Sequence, residues 1–213
     1  IPRLMRRGLI PLDVAFIQTS PPDDRGRLSL GVSVDITKEA LRSCPLVIAQ
    51  VNAHMPYVHG DNLVEPDQVS FFIHHDEALL EYVRKTPDEA VRKIGGYVAR
   101  IIPDNSTIQV GYGSIPNAIL TQLGAKRHLG IHSEVLTSGI VELMKQGVVD
   151  NTKKGIDIGR TVASLCLGTH ETCRYIHDNP SIALMPIDYT NNPQVIAQQT
   201  GMVAINSALE VDL

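Results

Sequence analysis

Several residue types are scarce or missing in this chain of 213 residues, and each shortage argues against a particular kind of core or stabilising framework. Trp is absent and aromatic residues make up only 4% of the chain. A core of large rings is therefore excluded, and we expect an aliphatic core of the kind found in parallel sheets that are buried on both faces. Cysteine occurs only at Cys44, Cys166 and Cys173. This odd, sparse set argues against a disulfide framework and for a reducing compartment.

Two further absences bear on location and partners. The sequence shows neither a signal peptide nor an apolar run long enough to cross a bilayer. We therefore expect a cytoplasmic protein without a membrane partner, or a protein of an organelle matrix if a targeting segment has been lost. The formal net charge is −4, so the protein as a whole has no positive electrostatic potential that would attract nucleic acid. An anionic ligand would need local help from helix N-termini or from a few Lys and Arg side chains.

Hydrophobic residues make up 43% of the chain, and their spacing alternates between the periods of strands and helices. The alternation predicts an α/β fold with mostly parallel sheets flanked by helices. A boundary near Tyr82–Thr86 divides the prediction into two units, residues 1–85 and 86–213. The predicted strands are 13–18, 28–35, 46–51, 107–110, 129–132, 162–167, 182–185 and 202–213, and the predicted helices are 37–43, 86–102, 115–123, 138–146 and 170–177.

A glycine-containing turn follows one predicted strand and opens a helix. It reads Gly111, Tyr112, Gly113, Ser114, Ile115, Pro116. Glycine lets a backbone approach a ligand closely, and the first N–H groups of a helix point outward, so this segment is a candidate ligand-binding turn. A tight turn without a ligand is the alternative. A dinucleotide-binding fingerprint would need a third glycine where Pro116 stands.

Polar clusters give two further candidates. Four histidines lie close in sequence to two acidic residues, but their spacings match no standard metal motif, and we expect no metal. These residues are His54, His59, His74, His75, Asp61 and Glu65. His132 and Glu134 sit at the end of a predicted strand, where α/β proteins place ligands, so they are expected to line a site unless they form an ordinary loop.

The last segment of the chain alternates strictly and carries a carboxylate. From Met202 onwards one face is apolar except for Ser207, and the other bears small residues and Asn206 before it reaches Glu210. Small neighbours leave room beside a carboxylate for a large ligand, and a carboxylate in such a slot can act as a nucleophile. On the pattern alone, a solvated surface carboxylate is the competing interpretation.

Taken together, five segments resemble the acetyl-CoA hydrolase/transferase family, especially its 4-hydroxybutyrate CoA-transferase branch. They lie in this order along nearly the whole chain, which makes the resemblance specific. The segments are 13–23, 30–35, 111–116, 129–134 and 205–213.

The resemblance implies two similar α/β domains with an active site between them. Residues 1–85 would be the C-terminal part of the first domain, and residues 86–213 the N-terminal part of the second. Family members are longer, and this chain begins without Met and stops within a predicted strand, so we expect truncation at both ends. The family's Gly-rich segment beyond the glutamate strand, whose backbone contributes to the site, would follow Leu213.

The resemblance also implies the chemistry. Glu210 would be the catalytic glutamate and would carry CoA as a glutamyl thioester between an acyl-CoA and a short-chain carboxylic acid, in a homodimer or larger homo-oligomer. Hydrolysis of acyl-CoA is one alternative, and a catalytically incomplete CoA-binding fragment is another. The expected substrate- and CoA-binding residues are Gly111, Tyr112, Gly113, Ser114, Ile115, Asn206, His132 and Glu134.

Overall fold

The computed structural model describes residues 1–83, 86–208, 210 and 212, and within them strands alternate with helices along most of the chain. The strands are β1 (Val14–Thr19), β2 (Leu28–Ser29), β3 (Leu46–Val51), β4 (Leu63–Val64), β5 (Phe71–His74), β6 (Thr107–Val110), β7 (Gly130–Ile131), β8 (Val135–Thr137), β9 (Thr161–Ala163), β10 (Leu165–Leu167), β11 (Ile182–Leu184) and β12 (Met202–Ile205). The α-helices are α1 (Pro2–Arg6), α2 (Thr37–Ser43), α3 (Glu89–Ile101), α4 (Ser114–Thr121), α5 (Ser138–Lys145), α6 (His170–Ile176), α7 (Ile187–Thr190) and α8 (Pro193–Ile196), and a 3-10 turn covers Pro66–Gln68.

The first sheet has three parallel strands in the order β1-β3-β5. β3 is the central strand, and its run of Leu, Val and Ile alternates between buried and half-buried positions. Because the three strands run in one direction, the loops that follow them leave the sheet at the same edge. That shared edge is where open α/β sheets bind ligands.

The second sheet is also parallel, in the order β12-β6-β7. It continues through a single parallel bridge between His132 and Val162 to the parallel pair of β9 and β11. β8 and β10 form another parallel pair, whereas the short β2 and β4 pair antiparallel. The predicted class, an α/β fold with mostly parallel sheets flanked by helices, is therefore confirmed.

The core is aliphatic, as the shortage of aromatic residues predicts. No Phe, Tyr or Trp is among the largest fully buried side chains of the described residues. Those side chains are Leu30, Ile102, Ile108, Ile119, Leu120, Leu123, Leu129, Ile131, Leu136, Ile140, Ile176 and Ile182. Aliphatic burial contributes roughly 25 cal/mol per Å² of apolar surface removed from water.

Two predicted strands are wrong over part of their length. In the 28–35 segment the strand β2 ends at Ser29, and beyond it only Ser33 pairs, through a single antiparallel bridge with Leu165. Gly31 takes φ +61° and turns the chain, and a Cβ there would clash with the Met55 sulfur. The strand predicted over 162–167 is two strands, β9 and β10, separated at Ser164. The Ser164 hydroxyl donates a hydrogen bond to the carbonyl oxygen of Met185.

The observed helix boundaries differ from the predicted ones by a few residues. The helix predicted to begin at Thr86 begins at Glu89, because the Asp88 carboxylate caps it by accepting a hydrogen bond from the Val91 N–H at 2.8 Å. The predicted domain boundary between 85 and 86 involves Lys85, which lies outside the described residues. It stays a prediction.

The terminal strand is shorter than the alternation predicts. β12 ends at Ile205, and residues 206–208 are not in a strand. Leu209, Val211 and Leu213 lie outside the described residues, so the alternation there is not tested. Among the helices of the described ranges, none combines the length and the apolarity that crossing a membrane requires.

Candidate functional site

The glycine turn lies at the carboxyl end of β6, and each of its glycines has a physical reason. Gly113 takes φ +136°, a conformation that L side chains rarely adopt, and it is the N-cap of α4. A Cβ on Gly111 would lie 2.6 Å from the side-chain oxygen of Asn206. The N–H groups of Ser114 and Ile115 have no hydrogen-bond partner among the described residues. These N–H groups can therefore meet an anionic oxygen.

Asn206 is held against this turn. Its side-chain amide exchanges two hydrogen bonds with the amide of Gln109, at 3.2 and 2.9 Å, and the Gly111 N–H donates to the carbonyl oxygen of Ile205 at 2.8 Å. The structure thus brings together two predicted site segments that are almost 100 residues apart in sequence. The contact depends on the parallel pairing of β12 with β6.

Other residues of the turn face different surroundings. Tyr112 is half exposed, and its ring lies 5.0 Å from the ring of Tyr82. Ser114 lines a pocket of about 450 Å³ together with Lys145. Ile115 lines a separate, mostly apolar groove of about 310 Å³ between α3, α4 and the 203–208 segment, which covers the end of β12 and the residues after it.

His132 is a buried structural residue. Its Nε2–H donates to the carbonyl oxygen of Thr190 at 2.9 Å, and its Nδ1 accepts from the Gln199 amide at 3.1 Å, an arrangement that requires the neutral Nε2–H tautomer. Burial lowers the pKa of His132, which keeps the ring neutral. Its neighbour Ser133 is also buried, and its hydroxyl bonds to the backbone of Val110.

Glu134 follows these two anchored residues and is half-buried. Its backbone carbonyl accepts hydrogen bonds from the N–H groups of Ser164 and Leu165, which fixes the main chain between β7 and β8. Its carboxylate accepts a hydrogen bond from the Asn191 amide at 2.6 Å. Burial and the negative charge of Glu134 both raise the pKa of Asp35, so a second carboxyl group lies within its electrostatic reach.

The surroundings of Glu210 differ from those of Glu134. Glu210 is exposed, and it makes no hydrogen bond or ion pair with any other described residue. It does not line either of the pockets that Ser114 and Ile115 line. The structure therefore groups Gly111, Asn206 and the 132–134 segment, and leaves Glu210 outside this group.

Sequence reasoning missed two residues of this group. Asn191, which hydrogen-bonds to Glu134, lies 57 residues after it in the sequence. Asp35, which interacts with Glu134 electrostatically, lies 99 residues before it. The only local signal was the polar run after Pro186, which is typical of a turn. Among the described residues, no group of three or more His, Cys, Asp or Glu side chains is arranged to hold a metal ion.

Two family models match the chain. Residues 1–84 match the N-terminal domain of the acetyl-CoA hydrolase/transferase family, and residues 168–213 match its C-terminal domain.

Curated proteins of this type match over the whole chain. It is 40% identical over 213 residues to the 4-hydroxybutyrate coenzyme A transferase of Clostridium kluyveri and 38% identical over 213 residues to the succinyl-CoA:cyclohexane-1-carboxylate CoA transferase of Geobacter metallireducens. All of the chain is covered in both comparisons, against 50% and 48% of the two relatives. The chain therefore spans about half the length of these curated relatives.

Solved structures agree with this fold. The crystal structure of 4-hydroxybutyrate CoA-transferase from Porphyromonas gingivalis superposes with a TM-score of 0.96 at 39% identity, covering 99% of this chain and 54% of that one. RipA from Yersinia pestis superposes with a TM-score of 0.92 at 34% identity, covering 95% of this chain and 47% of that one. The two family models, the whole-chain relatives and the shared fold together establish that the chain belongs to the acetyl-CoA hydrolase/transferase family.

Proposed function

We propose that the protein transfers CoA between an acyl-CoA and a small carboxylic acid through a covalent glutamyl-CoA thioester. A side-chain carboxylate attacks the thioester carbonyl, the C–S bond breaks, and the thiolate leaves with the electron pair. The product on the enzyme is a mixed acyl-glutamyl anhydride. The thiolate then attacks the glutamyl carbonyl and expels the first carboxylate, and an incoming carboxylate reverses both steps.

The observation that supports this proposal best is the setting of Glu134. It lies at the carboxyl end of a parallel strand, is half-buried, and has its carboxylate oriented by Asn191 at 2.6 Å. The hydrogen bond from Asn191 engages Oε2, and the other oxygen, Oε1, has no hydrogen-bond partner among the described residues. A held carboxylate meets the carbonyl with less loss of orientational freedom than a mobile one.

Two carboxylates therefore compete for the role of nucleophile. The sequence motif favours Glu210, whereas the surroundings in the fold favour Glu134, because Glu210 is exposed and without a described partner. We place the nucleophile at Glu134, with Glu210 as the alternative. Both assignments keep the same chemistry.

Each addition step puts negative charge on the former carbonyl oxygen. The N–H groups of Ser114 and Ile115 are suitable donors, since Ser133 ties the 132–134 segment to the backbone of Val110 at the start of the glycine turn. Losing one donor of this kind costs about 2.7–4 kcal/mol of barrier. His132 takes no proton in this scheme, because both of its ring nitrogens are engaged.

The experiment is to trap the enzyme-bound thioester. The whole protein is incubated with an acyl-CoA and digested with trypsin, which separates the two candidates: Glu134 falls in the peptide 128–145, and Glu210 in the peptide that begins at Tyr175. We expect a CoA adduct on 128–145, with fragment ions that assign it to Glu134. Glu134→Gln should lower exchange on the order of a thousandfold or more, and Glu210→Gln should change it little.

An adduct on the later peptide, with exchange lost in Glu210→Gln, would move the nucleophile to Glu210. No adduct on either peptide would defeat the covalent proposal. Hydrolysis is the alternative activity, because water can compete for the same acyl intermediates. Release of free CoA without any added carboxylate, at a rate matching exchange, would favour the hydrolase.

A further inference from the structure

A short helix, α7, decides where the Asn191 amide lies. Asn191 follows α7 directly, and its amide donates to the Glu134 carboxylate at 2.6 Å. Asn191 is exposed, and α7 has only four residues. A helix of this length is not stable by itself, because forming the first turn fixes several residues for a single hydrogen bond. The position of the Asn191 amide therefore depends on the contacts that hold α7 in place.

Side-chain and backbone contacts fix α7 to several parts of the chain. The Ile187 N–H donates to the carbonyl oxygen of Asp35 at 3.1 Å, the Asp188 carboxylate accepts from the Arg6 guanidinium at 2.7 Å, and the Tyr189 hydroxyl donates to the Asp157 carboxylate at 2.9 Å. These contacts hold the helix on the protein. They do not involve the segment that carries Glu134, so they do not set the distance between Glu134 and Asn191.

His132 supplies that connection. Its Nε2–H donates to the carbonyl oxygen of Thr190 at 2.9 Å, and within the described ranges no other hydrogen bond joins α7 to the segment of Glu134. His132 lies two residues before Glu134, and Thr190 lies directly before Asn191. Two hydrogen bonds therefore connect the same two segments, one from His132 to Thr190 and one from Asn191 to Glu134.

The contact between His132 and Thr190 is the stronger constraint of the two. These residues are 1% and 2% exposed, so breaking their hydrogen bond would leave a donor and an acceptor buried and unpaired. The bond from Asn191 is exposed, and water competes for both of its partners. The buried contact is therefore the fixed point, and the Asn191 amide follows it.

Gln199 keeps His132 in the form that this contact requires. The Gln199 amide donates to Nδ1 at 3.1 Å, so the proton of the neutral ring is on Nε2 and faces Thr190. Gln199 is itself buried. Without its amide, the ring proton is free to move to Nδ1, and the donor to Thr190 would be lost.

We propose that His132 is a positioning residue for CoA transfer: by holding the Thr190 carbonyl it places the Asn191 amide, and through that amide it orients the Glu134 carboxylate. Asn191 engages Oε2, so Oε1 is the oxygen presented for attack. The effect on turnover rests on the proposed function. His132 is buried and takes no proton, so its loss slows the reaction only through Asn191.

Two substitutions at His132 separate positioning from a general structural role. The amide of Gln reaches close to the position of Nε2 and can still donate to Thr190, whereas the shorter Asn reaches only the position of Nδ1. Exchange between butyryl-CoA and acetate is measured with the whole protein at saturating concentrations. We expect kcat to stay within about threefold in His132→Gln and to fall about ten- to a hundredfold in His132→Asn, the range that one hydrogen bond to a charged group corresponds to.

A double-mutant cycle with Asn191→Ala tests the route of this effect. His132→Asn should slow exchange no further in a protein that already lacks the Asn191 amide. Gln199→Met removes the donor to Nδ1 and is the second variant if His132→Asn does not fold. It should also lower kcat, again with no further effect once Asn191 is replaced.

The control for destabilisation alone is Val64→Ala. Val64 is fully buried in β4, outside the site. The cavity left by this change should lower thermal stability without lowering kcat. A fall in kcat in Val64→Ala as large as that in His132→Asn would assign the effect of His132 to stability and overturn the proposal.

A second readout does not depend on turnover. The side-chain amide signal of Asn191 in NMR spectra should move in His132→Asn towards its position in Glu134→Ala, where the contact is absent, and should stay in place in His132→Gln. If this signal moves as expected but the original protein forms no CoA adduct on Glu134, the positioning is supported and the proposed function fails.

Three results would overturn the positioning proposal itself. The first is an equal loss of kcat in His132→Asn and His132→Gln. The second is that the effects of His132→Asn and Asn191→Ala multiply in the double variant. The third is an Asn191 amide signal that does not move in His132→Asn.

Discussion

At the scale of single residues, the candidate site depends on polar groups that are buried and satisfied. His132 has hydrogen bonds at both ring nitrogens, and Lys154 donates to the carbonyl oxygens of Ile131 and Arg160 at 2.9 and 2.7 Å. Both side chains contact the strand that leads to Glu134 or its immediate continuation. They anchor the backbone near Glu134, while Asn191 orients its carboxylate.

Lys154 gives a pH-dependent prediction. Burial lowers its pKa from 10.5 to about 8, so between these values the unfolded chain binds more protons than the folded chain. The free energy of unfolding should therefore rise with pH from about 8 to 10.5, and the stabilisation should be lost as pH falls through 8. Urea denaturation at pH 7 and pH 10 should show this rise, on the order of 2–3 kcal/mol from this group.

The matched control is Lys154→Met, which removes the titration and keeps most of the side-chain volume. Its stability should change less between the two pH values than that of the original protein. An equal change in both proteins would show that Lys154 does not titrate in this range.

At the scale of elements, two helices approach so closely that one glycine decides their packing. Within α3, a Cβ on Gly95 would lie 2.9 Å from the backbone carbonyl oxygen of Ala118 in α4, whereas a Cβ on Gly96 would meet nothing within 4 Å. The two residues are neighbours in the same helix and differ only in the face they occupy. They form a matched pair.

We expect Gly95→Ala to destabilise the fold and Gly96→Ala to stabilise it. The first change forces the helix backbones apart at a cost of about 1–3 kcal/mol, and the second removes the entropic penalty of a helical glycine, about 0.5–1 kcal/mol. Thermal unfolding of the two variants measures both effects. Equal shifts in both variants would mean that α3 does not pack on α4 through Gly95.

At the scale of the whole molecule, the first sheet leaves one face uncovered within the described residues. Phe16, Ile48 and Phe71 are aligned across β1, β3 and β5, and the two phenylalanines are 77% and 61% exposed. An apolar row of this kind on a sheet face is typical of an interaction surface. It is compatible with the homo-oligomer that the sequence analysis expects, which stays a prediction.

This row predicts self-association of the 213-residue chain when it is produced by itself. We expect Phe16→Ser together with Phe71→Ser to shift sedimentation velocity profiles towards the monomer, because the change removes the two exposed aromatic side chains of the row. Tyr97→Ser is a suitable control, since Tyr97 is 65% exposed on α3, away from this sheet. A monomer before any substitution, or equal effects of the two changes, would contradict this prediction.

The local sequence pattern determined many of the strands and helices of this protein, and its family. The hydrophobic runs at 46–51 and 107–110 predicted β3 and β6 with their bounds, because a buried parallel strand is encoded by consecutive apolar residues. The glycine turn and the family could also be predicted from the sequence, since both depend on residues that are adjacent in sequence. Short or atypical elements such as β5 and α7 were missed, because a few residues carry too little periodicity to be distinguished from loops.

Only the tertiary structure decided which side chains meet. Asn191 contacts Glu134 across 57 residues of sequence, and Asn206 contacts Gly111 through the pairing of β12 with β6. Likewise, a cleft at the edge of the first sheet assembles from the loops after β1, β3 and β5 and from α6 with the residues that follow it. Sequence periodicity reports how each segment is buried but not which segment lies beside it. The partners of a carboxylate, and with them its chemical role, become visible only when the strands are placed in order.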